Sequence, residues 1–231
     1  MLHSIKCAIK SSPFLIAKTS SLYRIGGRIF NKIKLKGKNN IIETNVPGLF
    51  LSHFNLSIRG NNNCIRFKPG GISHIRGLRI SITGDNNTIE IGANTSCSDF
   101  SICVEDNCNE VLLGDGFRCG ANTELAAIEG TSISFGEDCM LSANITVRTG
   151  DSHSIVDMEG RRINHSKSLS IGNHVWIGNT VMIFKGAQIG HNSVVAGGSV
   201  VTGKEFPPYC IIGGNPAKVI KEGIDWREER I

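Results

Sequence analysis

Aromatic residues make up only 6% of this 231-residue sequence, so large rings cannot supply most of its core. No run of 18 or more apolar residues occurs, and nothing reads as a transmembrane helix. The eight cysteines form no C-x-x-C pair and no short Cys/His cluster, which argues against a zinc finger or a dithiol redox site. No G-x-G-x-x-G follows a strand-like segment in residues 1–60, which argues against a leading nucleotide-binding α/β domain. The N-terminus lacks the continuous apolar stretch and small-residue cleavage site of a signal peptide. Acidic residues are absent from positions 1–38, which carry nine basic side chains. The remaining sixteen basic residues face twenty acidic ones, so the body is not expected to bind nucleic acid.

Glycine is abundant, at 27 residues, and points to many tight turns. An aliphatic residue recurs every sixth position through Ile171, Ile177, Ile183, Ile189, Val195 and Val201. The same spacing runs through Phe135, Leu141, Val147 and through Leu113, Cys119, Leu125. Six is neither the helical period of 3.6 nor the strand period of 2. It fits a three-sided coil in which each short strand contributes one inward side chain. Three hexads make a turn, so Ile171 is expected to stack with Ile189, Ile177 with Val195 and Ile183 with Val201. Several cysteines fall at inward positions, where a reduced thiol serves as a small apolar filler. Reduced cysteines in turn imply a cytoplasmic protein.

Upstream, the Gly60–Ile65 and Gly84–Ile89 segments are alike, and Asp106–Val111 is a weaker copy. Their Asn and Gly residues tolerate positive φ and read as corners of wider coils. Ordinary hairpins with Asn-rich turns are the alternative for residues 40–110. Three domains follow: a basic arm at 1–38, a β-helix at 39–206 with a loop extruded at about 149–170, and an extension at 207–231. The arm has apolar residues at helical spacing. It is expected to cap the end of the coil as a helix, or to lie on an anionic membrane at the inner face. Pro207-Pro208 is expected to stop the coil, and Lys218 to Arg230 to form a short helix.

The hexad ladder breaks between Val147 and Ile171 without losing phase, so this segment is expected to leave the coil as a loop. His153 lies near its start. An imidazole there could take a proton from a hydroxyl; a solvated loop histidine is the alternative. Asp151, two residues earlier, is a candidate to orient the ring.

Three stretches carry a resemblance: Ile171–Gly178 (IGNHVWIG), Gly197–Thr202 (GGSVVT), and Pro207-Pro208 followed by Gly214–Lys221 (GNPAKVIK). They resemble the C-terminal half of hexapeptide-repeat O-acetyltransferases, among them the galactoside and maltose enzymes and those that modify capsule and O-antigen. The likeness is close over about residues 113–221 and only stylistic over 40–112. It implies an all-β, left-handed parallel β-helix and an acetyl-CoA-dependent acyltransferase working as a homotrimer without metal. By the same resemblance, His153 matches the catalytic histidine, Asn122 an asparagine that contacts the acceptor, and Trp176 a tryptophan bordering the pocket. Asn179, Gly197 and Thr202 match positions along the pantetheine arm, and Lys218 and Lys221 match basic residues near the CoA phosphates. A solvated charged face is the alternative for the two lysines. Asn179 and Gly197 are separated by one turn of three hexads and are expected to stack. The loop sequence Asp-Ser-His-Ser-Ile-Val-Asp looks like the polysaccharide-modifying branch, which implies a bacterial surface glycan as acceptor.

N-acetylation of an amino sugar, a non-enzymatic β-helix scaffold and a zinc-dependent β-helix carbonic anhydrase are the rival readings. The last needs a histidine pair five apart on one coil. His153, His165, His174 and His191 offer none, and His174 and His191 are expected at corners.

Overall fold

A computed structural model describes residues 31–231. The helical character expected of the N-terminal arm therefore falls mostly outside the described residues. The described chain contains strands and turns and no helix. Its strands form three sheets of eight, eight and nine strands, here called A, B and C, parallel throughout except for the last strand of sheet C. Each circuit of the chain contributes one strand to each sheet in turn, giving eight coils of a parallel β-helix.

The expected stacks are present. Ile171 pairs with Ile189, Ile177 with Val195 and Ile183 with Val201. All six are at most 3% exposed, as required of a ladder that only neighbouring coils can cover. The ladder keeps phase across the interruption, since Phe135 pairs with Ile171, Leu141 with Ile177 and Val147 with Ile183. Cys97, Cys119, Cys139 and Cys210 are buried and unpaired, as small inward fillers should be. Burial pushes the Cys139 thiol up to about 11.

The upstream coils are wider. Asn55 pairs with Arg79 whereas Met182 pairs with Val200, so the upstream circuit is longer by one hexad. The extra residues lie in its strands, of five, four and four residues against three, two and two downstream, and asparagines turn the corners between them. Asn62 and Asn86 take φ of 56° and 59° there, as corner residues should. The pairing is parallel, so the hairpin alternative is excluded. The next residue inward forms a column. Asn63 Nδ2 donates to Asn40 Oδ1, Asn87 Nδ2 to Asn63 Oδ1 and Asn109 Nδ2 to Asn87 Oδ1, each at 3.0 Å. Asn63, Asn87 and Asn109 are fully buried, and each amide finds its partners in the coils above and below. Thr131 continues the column through its backbone N–H to Asn109 Oδ1, and its hydroxyl donates to that of Thr149 at 2.7 Å.

Three boundaries differ from expectation. Strand β1 (Lys32–Lys36) pairs with β4 (Asn55–Arg59), so the solenoid begins before residue 39. The alternating Lys-Ile-Lys-Leu-Lys has the period of a strand. Pro207-Pro208 does not end the coil, because β24 (Cys210–Gly214) still stacks in parallel on β21 (Val194–Val195). The prolines occupy a corner, where no ladder hydrogen bond needs their nitrogen. Ala217–Glu222 is a strand, β25, running antiparallel to β24, and no helix follows it. The exposed edge of β24 offers unpaired backbone groups, and satisfying them outweighs the modest helical propensity of this segment.

Candidate active site

The loop leaves the coil between β16 (Thr146–Arg148) and β17 (Leu169–Ile171), at the edge where sheet A meets sheet B. Its neck is closed by the Lys167 N–H donating to the Thr149 carbonyl at 2.9 Å. Beyond the neck the chain folds into a small hairpin with Val156 bridged to Arg162. Asp157 turns its tip by accepting from the backbone of Glu159 and Arg161.

Asn164 holds the loop together, and nothing in the sequence singled it out. It is 8% exposed, and its Nδ2 donates to Asp151 Oδ2 at 2.8 Å and to the His153 carbonyl at 2.7 Å. Its Oδ1 accepts from the Ile155 N–H at 2.7 Å. Lys185, in the next coil, ion-pairs with Asp151 and donates to the Asn164 carbonyl. On the other side Arg162 pairs with Glu129 at 2.7 Å, and Glu129 also accepts from the Ser166 N–H. Lys185 and Asn164 hold the Asp151 carboxyl below its ordinary range. Arg162 and Ser166 bring Glu129 down to about 2.

His153 is exposed, and its backbone, not its ring, is pinned. Asp151 does not orient the ring, since its hydrogen bonds go to Lys185 and Asn164. Its short tether lets the carboxylate reach a buried amide and a lysine that neutralises it, and those outcompete an exposed imidazole. Lys185 was findable in the sequence: Val147 stacks on Ile183, so the residue two places after each shares a column.

Asn122 stands at the other side of sheet A, on the edge with sheet C. Its Nδ2 donates to Asn144 Oδ1 at 2.9 Å, and Asn144 Nδ2 reaches Asn179 Oδ1 at 3.4 Å. The Gly198 N–H then donates to the Asn179 carbonyl at 2.8 Å. Residues assigned by resemblance to acceptor and to pantetheine thus share one polar edge. Gly197 stacks against Asn179 as expected, with its missing Cβ pointing 3.1 Å from the Asn179 carbonyl, and Gly198 faces open space. The β24–β25 turn joins this edge through the Gly214 N–H donating to Ser199 Oγ, which places Lys218 beside it. Lys221 lies further along β25, exposed. Thr202 follows β22 (Val200–Val201) and lies toward the loop's edge of sheet A.

Trp176 projects from sheet C, 37% exposed. It leans on Trp226, which sequence reasoning missed; the ring centroids are 6.0 Å apart. Trp226 also stacks on His174 at 4.2 Å and donates from Nε1 to its carbonyl. His174 is at a corner, with φ of 52°, and His191 is exposed at another. Among the described residues no group of three or more His, Cys, Asp or Glu could hold a metal ion.

One chain therefore does not bring all these residues together. The extended run from Asn144, level with Asn122, to the loop neck at Thr149 spans about 16 Å. His153 and Asn122 flank sheet A from its two sides.

No family model matches the chain. It is 37% identical over 191 residues to a polysialic acid O-acetyltransferase of Neisseria meningitidis, spanning 74% of this chain and 88% of that protein. It is 33% identical over 102 residues to the galactoside O-acetyltransferase of Escherichia coli K12, 44% of this chain and half of that one. Among solved structures, the polySia-specific acetyltransferase NeuO superposes with a TM-score of 0.79 at 29% identity, covering 87% of this chain and 90% of that one. With its hexad-built coil and a relative of this identity along most of its length, the chain belongs to the hexapeptide-repeat O-acetyltransferase family and is an acyltransferase.

Proposed function

We propose that the chain transfers an acetyl group from acetyl-CoA to a hydroxyl of an acidic bacterial surface polysaccharide, with His153 as general base. The observation that carries this reading is the loop. It is the one long departure from the coil among the described residues, and its polar network of Asn164, Asp151 and Lys185 fixes the backbone that carries an exposed imidazole. The relatives' acceptor, polysialic acid, supports an acidic polymer as substrate.

In the proposed reaction His153 removes the proton of a glycan hydroxyl held near Asn122. The oxygen attacks the thioester carbonyl, a backbone N–H steadies the oxyanion, and the C–S bond breaks to leave the CoA thiolate, which takes up the proton. The residues present fit a long thin donor. Asn179, Gly197 and Lys218 share one edge, and open space beside Gly198 leaves room for a pantetheine arm. Lys218 and Lys221 supply charge for the phosphates, Thr202 is assigned to the pantetheine arm, and Trp176 borders the acyl end. Because His153 and Asn122 flank sheet A from opposite sides, a second copy of the chain would complete the site, in keeping with a homotrimer.

The test is acetyl transfer to a panel of bacterial glycans by wild type and His153→Ala. Loss of about a hundredfold in kcat, with the KM for acetyl-CoA unchanged, is expected. Retained turnover would place the base elsewhere.

A further inference from the structure

Outside the loop, the outer face of sheet A carries a feature the acyl-transfer chemistry does not use. In the register of the sheet, Lys34, Ser57, Ser81, Cys103, Ala126 and Arg148 form one outward column across β1, β4, β7 (Arg79–Thr83), β10 (Phe100–Glu105), β13 (Thr123–Ile128) and β16. The four middle side chains are all small, so the face is hollowed along its centre. A groove of about 340 Å³ lies there, lined on its outer side by Lys32, Lys34, Ser57, Arg79, Ser81 and Glu124 among others. Five strand spacings separate Lys34 from Arg148, about 24 Å.

The rims of this groove are polar and unevenly charged. Lys32, Lys34 and Lys36 are exposed and have no ion pair among the described residues. Arg79 and Arg148 are partly neutralised by Asp99 and Glu124. The floor offers the hydroxyls of Ser57, Ser81 and Ser101. Of these, only Ser101 donates its own within the described residues, to the Thr123 carbonyl. The lining of the hollow ends at Cys103 and Glu124, opposite Lys32 and Lys34. A narrow, straight, hydroxyl-lined trough with unpaired cations at its far end suits a linear polymer that is both hydroxyl-rich and anionic.

We infer that the outer face of sheet A binds an extended anionic glycan, which runs from Lys32 and Lys34 toward Glu124 and Arg148, between the edge that carries Asn122 and the edge that carries the loop. The inference rests on the acceptor reading above and adds to it a chain-length requirement. Lysines on an edge strand also deter strand pairing, but that role needs charge of either sign, whereas binding needs positive charge. Reversing the sign separates the two.

The experiment compares wild type with the double variant Lys32→Glu/Lys34→Glu, and with Ser81→Ile, which fills the hollow at an exposed position. The probes are long-chain polysialic acid, its dimer and neutral dextran, read by direct binding and by acetyl transfer. Both variants should weaken binding of the long polymer and raise its KM, the double lysine variant by about tenfold, the scale of two lost surface charge contacts. The kcat, the KM for the dimer and the KM for acetyl-CoA should stay unchanged, and dextran should not bind. Unchanged binding of the long polymer in both variants would overturn the trough, as would equal losses for polymer and dimer or a face buried between copies of the chain. Polymer that binds through this face but is never acetylated would instead overturn the acceptor reading and leave the trough standing.

Discussion

The two halves of this solenoid solve one packing problem with different residues. Downstream, coils of three hexads turn at small, tight corners, and aliphatic side chains do the packing. Upstream, coils longer by as much as a hexad run through longer strands, and a buried asparagine column is added to the aliphatic core. The corner between sheets A and B holds backbone carbonyls and N–H groups that the asparagine amides answer. A side-chain amide has both donor and acceptor to answer them, and its repeat at each coil lets every amide serve the next. The lesson is that a parallel coil can be widened where a face must be broad, provided each corner brings its own hydrogen bonds.

The sharpest way to break this comparison is at the middle of the column. Asn87→Ala removes an amide that pairs with Asn63, Asn109 and the Asp106 carbonyl, leaving buried groups unanswered on both sides. A loss of about 4 kcal/mol is expected, read by chemical denaturation with the upstream coils opening first. The matching downstream change, Ile183→Ala, empties a fully buried ladder position and should cost about 3 kcal/mol. An equal or smaller effect for Asn87 would mean that the column is ornament to an aliphatic core.

Where the column ends and the loop begins, stability and activity should part. Asn164→Ala should leave the coil's unfolding within about 1 kcal/mol of wild type, because the loop opens locally. Its kcat should fall about tenfold through lost positioning of His153, with the KM for acetyl-CoA unchanged and loop amides exchanging faster. A loss in KM alone would assign Asn164 to binding. The smallest effect concerns acid. Asp151 and Glu129 are both held below the ordinary carboxylate range, so what they add to loop stability is complete above about pH 4.5. It is lost as pH falls through their lowered values, about 2 for Glu129. Protease nicking within 150–168 should therefore rise between those limits while the coil stays intact. Nicking that begins near neutrality would show that these carboxylates do not pin the loop.

Much of this was legible in the residues. The hexads announced the coil, its stacking partners and the position of the loop, because a strict period leaves no freedom in register. The asparagine turns announced wider coils. What stayed hidden depended on contacts between segments distant in the chain. Asn164 looks like any loop asparagine until Asp151 and Lys185 are brought to it. Ala217–Glu222 has the composition of a helix and becomes a strand only because β24 presents an open edge. The role of Asp151 as an orienter of the imidazole rested on nearness in sequence, and an exposed ring could not compete with a buried amide and a lysine.

The neck at Thr149 and Lys167 has a wider consequence. One backbone hydrogen bond spans the two ends of the excursion, and the ladder on either side stacks as though nothing had been inserted. The coil is thus indifferent to what is carried beyond that neck, and the segment behaves as an exchangeable cassette. Its length and side chains can be rewritten for a new acceptor without retuning the frame that supports it.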